Sequence, residues 1–215
     1  MSKTAKYSKE ILTFALTLQF YSCKSYEYVR KKFGCLLPCV DTLRKYYCRV
    51  DGKPGFSQEA FRFLKARSRT RHTVVNIVLD EMSIHHGIQT RGNRSYGRVN
   101  LGELHQEGND DNLPEAKNEL VFFAVSMREN FRIPIAYFLV AGIGGEEQAN
   151  LLKTAFKRLH EIQVSVHSLT FDGTAKNFVT VRKLGANLQY GTKKFQPWFL
   201  HPSKKNKIYV FPDVC

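Results

Sequence analysis

Long uncharged runs are missing from this sequence. The two longest, Ile11–Cys23 and Ile133–Gly145, hold 13 residues each, well short of the roughly 20 that a membrane-spanning helix needs. No membrane partner is therefore expected. The start, with Lys3, Lys6 and Lys9 ahead of Ile11–Phe20, imitates a secretion signal only faintly. Thr13, Thr17 and Gln19 interrupt its apolar stretch, and no small-residue cleavage site follows. Cysteine is scarce and odd in number, five in all with four before residue 49. That pattern excludes a disulfide framework and points to a reducing compartment. Cys35-x-x-x-Cys39 has no second Cys or His pair at finger spacing, which argues against a structural zinc.

Several catalytic signatures are also missing. An aspartyl-phosphate enzyme would need Asp-x-Asp after its first strand, but position 82 is Met82. Gly142-Ile-Gly-Gly145 lacks the Lys and Ser/Thr of a phosphate-binding loop and reads as a turn. His85-His86 has no partner at metal-ligand spacing and reads as surface. The stretch 102–119, acidic and nearly free of Lys, reads as a solvated loop.

The 215 residues suit one ordinary domain or two small ones, and 43% hydrophobic with 24% charged residues exclude disorder and a simple coiled coil. The charge is 33 − 19 = +14, unevenly spread: residues 1–72 hold 16 Lys/Arg against 5 Asp/Glu (+11), and residues 73–215 hold 17 against 14 (+3). A basic head on a near-neutral body points to a polyanion, most often nucleic acid; a solvated basic surface is the alternative.

The head reads as short helices. Ser8 can cap a first one, with Ile11, Phe14, Leu18 and Tyr21 on one face. A second fits Tyr26–Phe33, stopped by Gly34, and a third Val40–Tyr47 with Leu43 and Tyr47 inward. A fourth starts at Ser57 and carries Ala60, Phe61 and Leu64. The second and third make a helix-turn-helix that sets Arg44, Lys45 and Arg49 where bases or phosphates would be met, with Arg30, Lys31 and Lys32 near the backbone. A small bundle with a solvated basic face is the competing reading. These helices define a module over 1–68, followed by a basic linker over 69–73 and a second domain over 74–215.

From residue 74 the pattern turns to strands. Val74–Leu79 is β-branched with little alternation, as expected of a strand buried on both faces, and ends at Asp80-Glu81. A weaker strand fits Tyr96–Leu101. Glu119–Met127 and Phe131–Val140 form a hairpin, Glu146–His160 a helix, Val164–Phe171 a strand, then a helix from Thr174 to Leu184 and a last strand at Ile208–Phe211. This order predicts an α/β fold with a mixed sheet, whose ligands gather at the carboxyl ends of parallel strands. Asp80 and Asp172 both fall at such ends. Two carboxylates brought together repel each other, and a hard divalent cation relieves the repulsion by binding both. Such cations clamp the oxygens of a phosphodiester displacement. A helix cap or solvated loop acid is the bland reading of each Asp alone.

The run Tyr7-Ser-x-Glu10, Phe14-Ala-Leu-Thr-Leu18, Phe20-Tyr-Ser22, Tyr28-Val-Arg30-Lys31, Leu37-Pro38, Thr42-Leu43-Arg44 and Val50-Asp-Gly-x-Pro-Gly-Phe56 resembles the helix-turn-helix region of P-element-type transposases, including the THAP-domain transposase-like proteins of animals. In the body, Asp80-Glu-Met-Ser-Ile84, Ile133-Pro-x-x-Tyr-Phe138, Asn150-Leu-Leu152 and Ser168-Leu-Thr-Phe-Asp-Gly173 resemble the same family. The resemblance implies an RNase H-like core that cuts and joins DNA with Mg²⁺ or Mn²⁺, its first two catalytic and metal-binding acids falling on Asp80 and Asp172. GTP is implied only for the complete family protein. The family's zinc-binding domain would precede residue 1, and its nucleotide-binding insertion and third acid would follow Cys215. Asp213 reads as structural. The expectation is a fragment: a helix-turn-helix module plus the amino-terminal part of an RNase H-like domain, with little or no strand transfer of its own. DNA is the expected partner, the nucleus the compartment, and self-association into a homo-oligomer is left open. A domesticated, non-enzymatic DNA-binding protein is the alternative function, and a decayed reading frame the bland one.

Overall fold

The structure, a computed structural model, describes residues 7–47, 51–91, 94–102, 113–191, 193–203 and 206–213. Two compact units divide the chain, Met1–Asp51 and Gly52–Cys215.

In the first unit, helices α1 (Lys9–Tyr21), α2 (Cys23–Lys32) and α3 (Val40–Tyr47) surround a small core of Ala15, Tyr26 and Leu43, flanked by Leu12, Leu16, Leu18, Leu37 and Val40. Ser8 caps α1 by accepting from the Ile11 N–H, and Ser22 caps α2 by accepting from the Ser25 N–H. Between α2 and α3 the backbone turns left-handed twice, at Gly34 (φ +58°) and at Cys35 (φ +60°), a conformation that Gly accepts without strain. The Tyr26 hydroxyl donates to the Pro38 carbonyl at 2.5 Å and so ties α2 to the start of α3. Burial raises that phenol's pKa. The apolar face of α1 differs from the expected one: Ile11, Phe14 and Tyr21 are exposed, while Ala15 and Gln19 are buried. Apolar residues surround this helix on most sides, so periodicity alone does not select the face that packs. Tyr47 likewise stays half exposed, its hydroxyl donating to the Leu16 carbonyl at 3.0 Å.

The second unit begins with β1 (Gly55–Phe56) and α4 (Gln58–Ser68), then β2 (Val74–Ser83) and the small hairpin β3 (Gln89–Arg91) and β4 (Arg94–Tyr96). After these come β5 (Asn118–Ser126), β6 (Arg132–Val140), α5 (Gly145–Glu161), β7 (Ser165–Asp172), α6 (Ala175–Leu184), β8 (Trp198–Leu200) and β9 (Lys207–Asp213). Seven strands form one mixed sheet in the order β1-β6-β5-β2-β7-β9-β8. The hairpin β5–β6 and the pair β2–β5 are antiparallel; β2–β7 and β7–β9 are parallel, each joined across a helix-bearing connection. The expected strand at Tyr96–Leu101 is replaced by the β3–β4 hairpin and two isolated bridges, Arg98–Glu115 and Asn100–Leu139.

One face of this sheet carries the main core. Val75, Ile77 and Leu79 of β2, Leu120, Phe122 and Ala124 of β5, and Leu169 and Phe171 of β7 lie under Leu152, Phe156 and Leu159 of α5. Each Val, Leu, Ile or Phe side chain among these gains roughly 1.5–3 kcal/mol from burial. The fourth helix, expected as part of the basic head, contributes Ala60 and Leu64 to this core, and its neighbour in the sheet is β6. Its apolar positions match the sheet, which offers far more surface than the three-helix core. The expected linker is tied down as well: Glu129, in the β5–β6 turn, accepts from Arg67 Nε at 2.9 Å and pairs with Arg71 at 3.3 Å. No described helix is long and apolar enough to cross a membrane.

The hydrogen bond from Arg67 holds the Glu129 carboxyl below its ordinary range. A depressed folded-state pKa gives stability that is complete above the unfolded value, about 4.3, and is lost as pH falls through the folded one. Glu129→Gln is thus expected to lower the melting temperature at pH 7 and to converge with the unsubstituted chain in acid. A gap that stays constant between pH 7 and pH 3 contradicts this account.

Candidate active site

Along β7 and the residue before it, the inward positions change parity, from Val164 and Val166 to Leu169 and Phe171. A one-residue register shift opposite Val75/Asn76 absorbs the change. Beyond it Asn76 lies level with Ser168, Ile77 with Leu169, Val78 with Thr170 and Leu79 with Phe171. The next residue on each strand is an aspartate, Asp80 on β2 and Asp172 on β7, and both are exposed. Asp172 is in turn level with Asp213 of β9.

Strand alternation separates Asp80 from its neighbour. Asn76, Val78 and Asp80 share the face opposite the main core. Asn76 Nδ2 donates to the Thr170 hydroxyl at 3.1 Å and the Ser168 hydroxyl donates to Asn76 Oδ1 at 2.8 Å, which ties this face of β2 to β7. Glu81 points to the helix side, where it pairs with Lys176 of α6 and accepts from Asn118 Nδ2 at 2.7 Å. Glu81 is therefore neutralised locally, and Asp80 is the acid presented outward. The residue pattern ends this strand at Asp80; β2 instead runs on to Ser83, because its partner β5 extends further than β7 does.

Asp172 sits just before α6, whose amino terminus favours an anion. Thr174 does not use its hydroxyl to cap that helix; it donates to Asp172 Oδ1 at 3.1 Å. Asn177 Nδ2 donates to the same oxygen and, at 3.3 Å, to the Asp172 carbonyl. Neither Asn177 nor Thr174 stands out as a site residue from sequence. The one available signal is their place in the turn directly after the Asp.

Carboxylate oxygens on two adjacent parallel strands are a donor set that suits a hard divalent cation such as Mg²⁺ or Mn²⁺. Among the described residues no group of three or more His, Cys, Asp or Glu could hold a metal ion. GTP does not fit the glycine run before α5. The Gly144 N–H is already taken by the Glu147 carboxylate at 3.0 Å, and the run lacks a Lys.

In the first unit, Lys31, Lys32, Arg44 and Lys45 are exposed. Arg44 pairs with Asp41 at 3.4 Å in solvent, an interaction that contributes little. Arg30 is half buried and its Nε donates to the Leu37 carbonyl at 3.1 Å, so it braces the turn between α2 and α3. Arg49 lies outside the described residues.

The sequence matches two family descriptions: "TNP-like, RNase H N-terminal domain" over residues 52–185 and "Transposable element P transposase-like, HTH domain" over residues 1–46. The chain belongs to the P-element transposase-like family. Among curated relatives is the human protein DNA transposase THAP9, 29% identical over 221 residues that cover 99% of this chain and 24% of the relative. The chain thus spans about a quarter of that relative's length. Among solved structures, the Drosophila P element transposase strand transfer complex has the same fold, with a TM-score of 0.71 at 17% identity over 98% of this chain and 42% of that one. The mixed sheet with helices before it is accordingly the RNase H-like arrangement of this family.

Helix packing beside the site depends on one small residue. A Cβ on Gly145, at the start of α5, would lie 2.7 Å from Val179 Cγ1 and 3.2 Å from the Thr180 nitrogen of α6. Gly145→Ala should cost about 1–3 kcal/mol, and Val179→Ala in the same chain should restore part of it. Thermal melts of the two single variants and the double variant check this; equal stability of Gly145→Ala and the parent contradicts it.

Proposed function

We propose that this chain provides DNA binding and two metal-binding acids for the phosphodiester cleavage and strand transfer of a P-element-type transposase. The observation that carries the reading is the β2–β7 register, in which Leu79 and Phe171 are level and Asp80 and Asp172 follow side by side. The similarity to a human DNA transposase and the fold shared with a Drosophila transposase strand transfer complex support it. A divalent cation bound there supplies Lewis-acid polarisation of phosphoryl oxygens and lowers the pKa of a bound water. Asp80 and Asp172 contribute the carboxylate oxygens that hold and orient it, and the donors from Thr174 and Asn177 keep Asp172 in one direction. Lys31, Lys32, Arg44 and Lys45 offer exposed cations to DNA phosphates. Chromosomal DNA as partner implies action in the nucleus. With two acids and no three-ligand cluster among the described residues, the chain by itself is expected to bind metal and DNA but to cleave DNA little or not at all.

The charge of +11 over residues 1–72 against +3 over the remainder also favours a second reading, a non-enzymatic DNA-binding protein derived from such a transposase. Mn²⁺ titration calorimetry separates the two. On the transposase reading, Asp80→Asn and Asp172→Asn each weaken Mn²⁺ binding by tenfold or more and leave the melting temperature nearly unchanged. On the second, both variants bind as the parent does, and only DNA affinity responds to substitution. In that arm, Ala at Lys31, Lys32, Arg44 and Lys45 should reduce the slope of log K against log salt by about 0.9 for each phosphate no longer neutralised. An unchanged slope contradicts the basic face assigned here.

A further inference from the structure

We propose that Gln148 of α5 and Asn177 of α6 form an amide relay that sets the orientation of the Asp172 carboxylate, and that both are positioning residues for the metal-binding reading above, on which this inference rests. Gln148 Nε2 donates to Asn177 Oδ1 at 2.6 Å, and Asn177 Nδ2 donates onward to Asp172 Oδ1. Gln148 is 0% exposed and Asn177 5%, so both amides lie out of contact with bulk solvent.

The direction of the chain follows from charge. An ionised carboxylate only accepts, so Asn177 must turn its NH₂ toward Asp172 and its oxygen toward Gln148. Gln148 must then present its own NH₂, and its oxygen is left over. That oxygen, Gln148 Oε1, is buried with no hydrogen-bond partner among the described residues. An unpaired buried acceptor destabilises a fold, and an apolar side chain of similar size would remove the cost. Packing alone therefore does not account for an amide at position 148; holding Asn177 in one of its two flip states does.

The relay has a consequence at the metal edge. Its terminal donor and the Thr174 hydroxyl both engage Oδ1 of Asp172, and among the described residues no donor takes Oδ2. One oxygen is held by the protein, and the other would be free to ligate a cation. The relay spans two helices, so it also makes the close α5–α6 approach at Gly145 and Val179 relevant to the site.

The test uses the full 215-residue chain with ¹³C-carboxyl-labelled aspartate and Mn²⁺ as probe, in Gln148→Met, Asn177→Ala and Asp172→Asn variants. Methionine keeps the unbranched shape and removes the orphan oxygen. The relay predicts that Gln148→Met melts at or above the parent's temperature, yet shifts the metal-free Asp172 carboxyl resonance and weakens Mn²⁺ binding several-fold. Asn177→Ala should weaken Mn²⁺ binding by about tenfold, and Asp172→Asn by at least as much. An Asp172 resonance and Mn²⁺ affinity that ignore both Gln148→Met and Asn177→Ala, while Asp172→Asn loses the ion, overturn the relay and leave the metal reading standing. A resonance that moves in the relay variants while Asp172→Asn binds Mn²⁺ normally overturns the metal reading, and the positioning role falls with it.

Discussion

The parallel pairing of β2 with β7, with its single-residue shift in register, is the constraint on which the rest of the site depends. Before the shift Val75 is level with Val166; after it Leu79 is level with Phe171. Burial enforces both ends of this arrangement, because Val75, Ile77 and Leu79 on one strand and Val166, Leu169 and Phe171 on the other all enter the same core. A slip by one residue would turn a strand's apolar set outward. The hydrophobic effect thus fixes, as a by-product, the level at which Asp80 and Asp172 emerge. No direct interaction between the two carboxylates is needed to set them level; the strand register does that.

The two faces of the sheet divide the work. The core face is sealed by α5 and α6 and neutralises Glu81 with Lys176. The opposite face carries the hydrogen-bonded polar set Asn76, Ser168 and Thr170, the exposed aromatics Tyr209 and Phe211, and the outward aspartates. Adjacent residues of one strand, Asp80 and Glu81, therefore serve opposite purposes. One acid is committed to docking a helix and the other is left exposed on the opposite face. The same helix that receives Glu81 supplies Asn177 to Asp172, so packing and site geometry share a single element.

Much of this is legible in the residues. Val40–Tyr47, the capped helices after Ser8 and Ser57 and the helix after Thr174 follow from local signals, and the order of strands and helices determines a mixed sheet with parallel strand–helix–strand units. The outward aspartates are legible because an acid directly after a β-branched run is conspicuous. What stays hidden is set by tertiary contact. The register shift in β7 adds one residue that looks like any other strand residue, His167, exposed between Val166 and Ser168. The assignment of α4 depends on which surface, sheet or bundle, offers its Ala60 and Leu64 more burial. The packed face of α1 escapes the periodicity because its apolar residues do not form one stripe. That Arg30 braces the turn between α2 and α3 is likewise visible only in the structure. Gln148 and Asn177, 29 residues apart on two helices, carry no spacing signal at all.

The proposed function requires Asp80 and Asp172 to share one divalent cation. Anomalous diffraction from crystals of the chain grown with Mn²⁺ and recorded above the manganese edge tests it most directly. The account predicts an anomalous peak at the carboxyl ends of β2 and β7, within coordination distance of one oxygen from each aspartate. Fully occupied manganese elsewhere on the chain, with none between these two residues, would contradict it.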